Sequence, residues 1–196
     1  MRTRRQGPRP FTPPGDPPTL RPRGFYVVVR GPLGVGKTLV STELARRLGA
    51  TYISIDRILD EQDLWYAGRL REFLAANEHA AARAGPRLRR GTPVVIDGNF
   101  YWKTQILDLE RRLKYPHRVF TLTAPVQLCV ERDHQRFPPH GADAARVVYA
   151  RSTRFRFGLE IDARGPAGRV VDRALAAITR ELGGDARSRG RGRTAG

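Results

Sequence analysis

The stretch that decides the fold is residues 25–49, which read FYVVVRGPLGVGKTLVSTELARRLG. An apolar run of strand length opens it, three glycines follow within residues 31–36, and a pattern typical of a helix closes it. Residues 31–38 match the spacing GxxxxGK(S/T), in which glycines let the backbone turn sharply and point several amide hydrogens at one anion. The strand before and the helix after supply the context that such a phosphate-binding loop requires. The stretch therefore predicts a polyphosphate site at the end of the first strand.

Two side chains of this loop have expected roles of their own. Lys37 should reach the β and γ phosphates of a nucleotide as a point charge, and the Thr38 hydroxyl should ligate magnesium. The helix that follows adds the positive end of its dipole. We therefore predict that ATP binds here together with Mg²⁺. The predicted nucleotide-binding residues are Gly31, Gly34, Val35, Gly36, Lys37, Thr38 and Leu39.

The rest of the chain favours transfer of a phosphoryl group over its hydrolysis. The sequence contains no NKxD, the pattern that reads guanine in GTPases. The third apolar run ends in Asp97-Gly98, whereas a glutamate that activates water would directly follow the aspartate. Hydrolysis as the main task is therefore disfavoured.

Length and composition set the broad class of protein. A chain of 196 residues suffices for one α/β domain with a hydrophobic core, so one domain is expected. Cys129 is the single cysteine, which excludes an internal disulfide and makes the cytoplasm the expected location. No window approaches the ~20 apolar residues that would span a bilayer, so we expect no membrane partner.

The net charge of +17 resembles that of a nucleic-acid-binding protein until its distribution is considered. Residues 1–24 hold six arginines and seven of the fifteen prolines, and residues 183–196 hold four more arginines. Both stretches have almost no aliphatic residues, so we expect disordered tails on either side of a folded domain at residues 25–182. Nearly half of the charge lies in these tails, which are the candidates for any contact with nucleic acid.

Between the tails, apolar runs of strand length alternate with helical patterns. This alternation predicts a parallel sheet with helices on both faces, which is a three-layer α/β fold. One interpretation of the long helical region 56–84 is an insert that grips the substrate. The predicted strands are residues 25–30, 51–55, 93–97, 118–123 and about 157–162. Helices should begin near Gly36, Asp56, Trp102, Val126, Ala142 and Pro166.

Five motifs, in their order along the chain, carry a family resemblance. They are the phosphate loop GPLGVGKT, the strand ends ISIDRI and VVIDGNF, the arginine pair in LCVERDHQR and the segment FGLEIDARGPAGRVVDRAL. With them, residues 25–182 resemble the small P-loop kinases, a group that includes shikimate and gluconate kinases, chloramphenicol phosphotransferase and polynucleotide 5′-hydroxyl kinase. The resemblance implies a five-stranded parallel sheet of order 2-3-1-4-5, Mg-ATP as the donor and a mobile lid. The lid segment (residues 137–143, FPPHGAD) is short.

The resemblance also assigns roles to four charged residues. Asp56 stands where hydroxyl-phosphorylating members place an aspartate that accepts the acceptor's proton or orients its hydroxyl; the alternative is a cap on a helix that begins at Arg57. Asp97 stands where members hold a carboxylate near magnesium or the acceptor, and a turn or cap is the alternative. Arg132 and Arg136 are four residues apart and share one helix face. The family places them in the lid against the transferred phosphoryl group, and a solvated helix face is the alternative.

Two further segments carry weaker expectations. Residues 163–166 lie where the family forms its adenine-binding loop. The aromatic cluster at residues 100–102 either walls an acceptor pocket or packs against the next helix, and packing is favoured.

The leading hypothesis for function is an ATP-dependent phosphotransferase that moves the γ-phosphoryl group onto a hydroxyl of a small-molecule acceptor. Asp56 is the feature that favours it. One alternative is a nucleotide or polynucleotide 5′-end kinase, which the basic stretch at residues 83–90 would support. Another alternative is a nucleotide-dependent P-loop protein whose basic tails hold nucleic acid through counterion release.

Deleting both tails separates these classes. If the tails hold nucleic acid, a chain of residues 24–182 loses a steeply salt-dependent affinity for oligonucleotides, whereas a small-molecule kinase keeps its turnover. Filter binding at several salt concentrations, alongside a phosphoryl-transfer assay, measures both properties. Retained oligonucleotide affinity in the deleted protein would exclude the tails as the binding element.

Overall fold

The structure is a computed structural model that describes residues 24–64 and 68–182. The predicted tails, apart from Gly24, lie outside these described residues. The strands are β1 Tyr26–Arg30, β2 Thr51–Ser54, β3 Val94–Asp97, β4 His117–Thr123 and β5 Leu159–Asp162. The helices are α1 Lys37–Leu48, α2 Ile55–Glu61, α3 Leu70–Arg89, α4 Lys103–Leu113, α5 Val126–His134, α6 Ala142–Ser152 and α7 Ala167–Leu182.

The five strands form one parallel sheet in the order β2-β3-β1-β4-β5. This confirms both the α/β class and the order that the family resemblance implied. Val28 at the centre of β1 lies opposite Ile96 of β3 and Val119 of β4. Because all strands run in one direction, their carboxyl ends meet at the same edge of the sheet, and the segments that follow them converge there.

Helices cover both faces of the sheet and divide the core in two. On one face, Tyr26 and Val28 pack with residues of α2, α3 and α4. On the other face, Val27 and Val29 pack with residues of α1, α5 and α7. Alternate side chains of a strand point to opposite faces, so β1 is buried on both sides and reads as a continuous apolar run.

The last residue of β1 is a fully buried arginine. The Arg30 guanidinium donates hydrogen bonds to the hydroxyl of Thr121 and to the carbonyl oxygens of Phe100 and Ser152, and it lies 4.1 Å from the centre of the Phe155 ring. Burial lowers the pKa of Arg30 to about 10. These contacts tie the end of β1 to the loop after β3 and to the end of α6, and sequence analysis gave Arg30 no role.

The helical region 56–84 differs from its prediction. It is two helices, α2 and α3, and α3 packs its apolar face against α4 and the sheet through Phe73, Ala76, Ala80, Ala84 and Leu88. The extra length therefore serves to cover the sheet. Along the part of the chain that the structure describes, no helix is both long and apolar enough to cross a membrane.

Replacing Gly34 with alanine should destabilise the protein more than the same change at Gly49. Both glycines have positive φ angles, 76° and 60°, so the backbone strain is comparable. A Cβ atom at Gly34 would lie 2.0 Å from the Cys129 carbonyl oxygen, whereas one at Gly49 meets nothing within 4 Å. Differential scanning fluorimetry should show the larger loss for Gly34→Ala, at about 2–4 °C per kcal/mol for a domain of this size. Equal losses would contradict the close approach.

Candidate functional site

A cavity of about 1130 Å³ opens where the carboxyl ends of the strands meet. Its walls come from the phosphate loop and the start of α1, from the start of α2, from the loop after β3, and from residues of α5, α6 and 163–170. In open parallel sheets the crevice beyond the strand ends is the usual place for a ligand. Six separate segments of the chain therefore contribute to one site.

The phosphate loop has the geometry that its glycines predict. Gly36 has φ of 99° and stands at the N-terminal cap of α1. A Cβ there would meet nothing within 4 Å, so the space beside the backbone is open to a ligand. Gly34 packs against the backbone of Cys129 on the side facing α5. The loop thus presents backbone amides at a helix N-terminus, which is the arrangement that binds phosphate.

Six of the seven predicted nucleotide-binding residues line the cavity. They are Gly34, Val35, Gly36, Lys37, Thr38 and Leu39. Gly31 lies behind the wall, where a Cβ would come within 2.7 Å of the Leu122 carbonyl oxygen. Its glycine therefore serves packing between the loop and β4.

The Lys37 ammonium group is nearly enclosed by protein. Its side chain curls back so that Nζ donates to the carbonyl oxygen of Pro32 at 3.0 Å. Burial lowers the pKa of Lys37, and the charges of Asp56 and Asp97 oppose that shift. An ammonium group has three hydrogens and this contact uses one, so donors remain for a phosphate in the cavity.

Asp97 lies just behind the cavity wall at the end of β3. Its side chain is 2% exposed, Oδ1 accepts a hydrogen bond from the Tyr52 hydroxyl at 3.0 Å, and the buried Oδ2 has no partner among the described residues. Burial raises the pKa of the Asp97 carboxyl. A carboxylate oxygen without a partner, near a Thr38 hydroxyl on the wall, fits the hard oxygen ligands that magnesium takes. The residues present therefore fit a magnesium ion that arrives with a nucleotide.

Asp56 lies on the cavity wall at the start of α2. The helix begins at Ile55 and its cap is Ser54, whose hydroxyl accepts the Arg57 N–H at 3.4 Å. The interpretation of Asp56 as the helix cap is therefore wrong. Instead its two carboxylate oxygens accept hydrogen bonds from the backbone and side-chain nitrogens of Asn99, both at 3.1 Å. Burial raises the pKa of Asp56, and the charge of Lys37 opposes this.

Asn99 and Gln105 are site residues that sequence analysis missed. The buried Gln105 side chain accepts hydrogen bonds from the backbone N–H groups of Tyr101 and Trp102 and donates to the Asn99 carbonyl oxygen. This fixes the loop after β3, and through Asn99 it fixes the orientation of the Asp56 carboxylate. The available signal was a glutamine at the third position of a helix, where such side chains reach back to the cap.

The two arginines assigned to the lid have different surroundings. The Arg132 guanidinium donates to the carbonyl oxygens of Ala163 and Arg164, at 2.9 and 3.1 Å, and more weakly to that of Val35. It therefore joins the phosphate loop to residues 163–166. Arg136 also lines the cavity, makes no ion pair with any described residue, and its charge lowers the pKa of Lys37. The catalytic assignment of both arginines stays a prediction.

The residues of the aromatic cluster divide between the core and the cavity wall, and the interpretation as the wall of an acceptor pocket stays a prediction. Phe100 is buried in the core, whereas Tyr101 lines the cavity. The guanidinium of Arg151 lies 4.1 Å from the centre of the Tyr101 ring and 5.3 Å from that of Trp102. The cluster thus links α6 to the loop that holds Asp56.

The predicted adenine loop borders the same cavity. Ala163, Gly165, Pro166, Ala167 and Val170 supply a largely apolar wall on the side of the phosphate loop away from Asp56. Its role with adenine stays a prediction.

Comparison with known sequences places the chain in a family. Residues 27–159 match the family described as an AAA domain, and the chain belongs to this family of P-loop domains. Such a domain implies nucleotide binding. No curated protein matches the chain in sequence.

Solved structures of small P-loop kinases share the fold. A sugar kinase from Janibacter sp. HTCC2649 has a TM-score of 0.64 at 19% identity, over 78% of this chain and 93% of that one. A gluconokinase from Sinorhizobium meliloti 1021 has a TM-score of 0.63 at 20% identity, over 82% and 94%. APS kinase from Mycobacterium tuberculosis, in complex with AMPPNP and APS, has a TM-score of 0.65 at 14% identity, over 80% and 98%. At these identities the likeness shows the fold.

Replacing Asp97 with asparagine should stabilise the nucleotide-free protein at neutral and higher pH. Because burial raises the pKa of Asp97 above its unfolded value, the folded state loses stability as the pH rises from about 4 towards the folded pKa. Asparagine does not ionise, so the melting temperature of the variant should exceed that of the wild type at pH 8, and the difference should vanish near pH 4.

Asp108 provides the matched control for this prediction. It is equally buried, but its carboxylate pairs with Arg111 and Arg112, so Asp108→Asn should lower the melting temperature at pH 8. A loss of stability in Asp97→Asn at pH 8 would contradict the claim that burial of the ionised Asp97 carboxylate destabilises the folded protein.

Proposed function

We propose that this protein is an ATP-dependent kinase that transfers the γ-phosphoryl group to a hydroxyl of a small-molecule acceptor. The observation that carries the proposal is that Asp56, held by Asn99, lines the same cavity as Lys37 of the phosphate loop. An attacking hydroxyl requires a carboxylate that can orient it and accept its proton beside the phosphate loop.

The nucleotide would lie along the phosphate loop with its base towards residues 163–166. Loop amides, the N-terminus of α1 and the Lys37 ammonium would bind the phosphates. Magnesium, when bound near Thr38 and Asp97, neutralises charge on the phosphates. The Arg132 hydrogen bonds to Val35 and Ala163 hold the phosphate and base sides of this groove together.

The acceptor would occupy the end of the cavity lined by Asp56, Arg57, Asp60, Asn99 and Tyr101. Polar groups of both charges and one aromatic ring make up this wall. It suits a compact acceptor with several hydrogen-bonding groups. The names of the related structures, which include a sugar kinase and a gluconokinase, agree with an acceptor of this kind.

Each bond that forms in the transfer step is matched by one that breaks, and Asp56 takes up the proton that is released. The acceptor oxygen forms a bond to the γ phosphorus as the bond from that phosphorus to the ADP oxygen breaks. The hydroxyl proton passes to the Asp56 carboxylate, whose raised pKa makes it a better base than an ordinary aspartate. Positioning of the two reactants and stabilisation of charge supply most of the rate in reactions of this type.

The structure favours a small acceptor over a polynucleotide end. The basic stretch at residues 83–90 lies at the end of α3, and none of the residues that line the cavity belongs to α3. Within that stretch Arg83 pairs with Glu61. This stretch is therefore separate from the place where a 5′ hydroxyl would react.

A γ-³²P transfer screen tests the proposal. The pools comprise sugars, sugar acids, nucleosides, aminoglycoside-like drugs and 5′-hydroxyl oligonucleotides, each with Mg-ATP. Label should move to a small hydroxyl compound, and labelled oligonucleotide would support the 5′-end kinase instead. Release of labelled phosphate alone, with no labelled acceptor in any pool, would contradict a transferase.

Two substitutions then separate donor from acceptor. Lys37→Ala should reduce transfer by at least about 100-fold because it removes the charge at the β and γ phosphates. Asp56→Asn should lower kcat by a similar factor and leave the Kd for Mg-ATP within about twofold, since the carboxylate serves the acceptor. Asp143→Asn, an exposed aspartate outside the cavity, is the control. Full activity in Asp56→Asn would contradict the role of this carboxylate.

A further inference from the structure

A histidine in the lid segment is held by a buried carboxylate. Nδ1 of His140 lies 2.9 Å from Oδ1 of Asp133, a residue on α5 whose side chain is 1% exposed. The other oxygen of Asp133 accepts the backbone N–H groups of His140 and Gly141, both at 3.0 Å. Three hydrogen bonds donated to one buried carboxylate therefore fix both the backbone and the ring of His140 just before α6.

The orientation of the His140 ring leaves one nitrogen for a ligand. An ionised carboxylate can only accept, so Nδ1 carries the hydrogen in the bond to Asp133. Nε2 has no hydrogen-bond partner among the described residues, and the side chain is 46% exposed on the wall of the cavity. In the imidazolium form both ring nitrogens donate, so Nε2 can donate to an oxygen anion while Nδ1 stays on Asp133.

His140 lines the same cavity as Lys37 of the phosphate loop and Asp56 of the proposed acceptor wall. Burial raises the pKa of the Asp56 carboxyl, and the charges of Lys37 and of His140 in its imidazolium form oppose that shift. The charge of Arg136 lowers the pKa of Lys37. These groups therefore line the one cavity in which a phosphoryl group would move from the nucleotide to an acceptor at Asp56. The charged residues that line this cavity beside His140 are Lys37, Asp56, Arg57, Asp60, Arg132 and Arg136.

We propose that His140 is a further catalytic residue, whose Nε2–H contacts an oxygen of the γ-phosphoryl group while that group moves from ADP to the acceptor. The inference rests on the proposed function and adds a residue to it. Arg136 would meet the phosphates on the nucleotide side and His140 would meet the group in transit. Stabilisation of charge that develops only during transfer raises kcat and leaves ground-state binding of ATP unchanged.

Nuclear magnetic resonance of the histidine rings tests this contact without any acceptor. The chain has four histidines, so a ¹H–¹⁵N spectrum of the rings is simple, and His140→Gln identifies the His140 signals. Mg-ADP is added first, and aluminium fluoride, which mimics a planar phosphoryl group, is added second. We expect the His140 Nε2 signal to move to the imidazolium position only in the second step. Unchanged His140 signals, or the same shift with Mg-ADP alone, would overturn the proposal.

Kinetics with the acceptor found in the screen provides the second arm. His140→Ala should lower kcat by about 10- to 100-fold and keep the KM for ATP within about twofold. His134→Ala, which removes an exposed histidine of α5 outside the cavity wall, is the matched control and should keep wild-type values. Wild-type kcat in His140→Ala would overturn the contact and leave the kinase proposal intact. If isothermal titration calorimetry detected no binding of Mg-ADP, the nucleotide site itself would be wrong, so the two failures are distinguishable.

Discussion

The close approach of the Gly34 backbone to the Cys129 carbonyl is the contact on which the site depends. A loop that carried a side chain at this position could not lie against α5, because even one carbon atom would overlap the carbonyl oxygen. With α5 packed against the loop, Arg132 donates hydrogen bonds to the carbonyl oxygens of Val35, Ala163 and Arg164. Asp133 of the same helix accepts the backbone N–H of His140, just before α6. One backbone contact therefore sets the phosphate loop, residues 163–166 and the lid segment relative to one another.

Buried charge is the second constraint, and it has a cost in stability. Lys37, Asp56 and Asp97 lie in partly or fully buried positions. Burial lowers the pKa of Lys37 and raises the pKa of both aspartates, so it favours the uncharged form of each group. Asp97 retains a carboxylate oxygen with no partner. A protein selected for stability alone would satisfy or remove such groups, so their retention indicates that a ligand completes them. Arg30, in contrast, is buried with several carbonyl partners and one aromatic ring, which is the pattern of a structural charge.

The fold was largely predictable from the sequence. Parallel strands with helices on both sides produce apolar runs of strand length between helical patterns, and every predicted strand lies within two residues of an observed one. The phosphate loop was predictable because its chemistry lies in consecutive residues. The division of region 56–84 into α2 and α3 was not, because the helical pattern of the sequence continues across the boundary between Glu61 and Leu70.

The parts of the site that sequence analysis missed depend on contacts between distant residues. Asn99 reads as a turn former, and its hold on Asp56 exists only because β2 and β3 are neighbours in the sheet. Gln105, Arg30 and the pair of Asp133 with His140 are likewise defined by partners in space. The family resemblance assigned Arg132 to the lid. Its guanidinium instead donates hydrogen bonds to three carbonyl oxygens, two of which belong to residues 163–164.

The central claim is that residues 31–38 hold the polyphosphate of a nucleotide at the carboxyl edge of the sheet. Isothermal titration calorimetry of the full chain with Mg-ATP tests it most directly. The account predicts saturable binding of one nucleotide per chain, lost on removal of the Lys37 ammonium group. Absence of heat at millimolar Mg-ATP and Mg-GTP, together with an unchanged melting temperature, would contradict it.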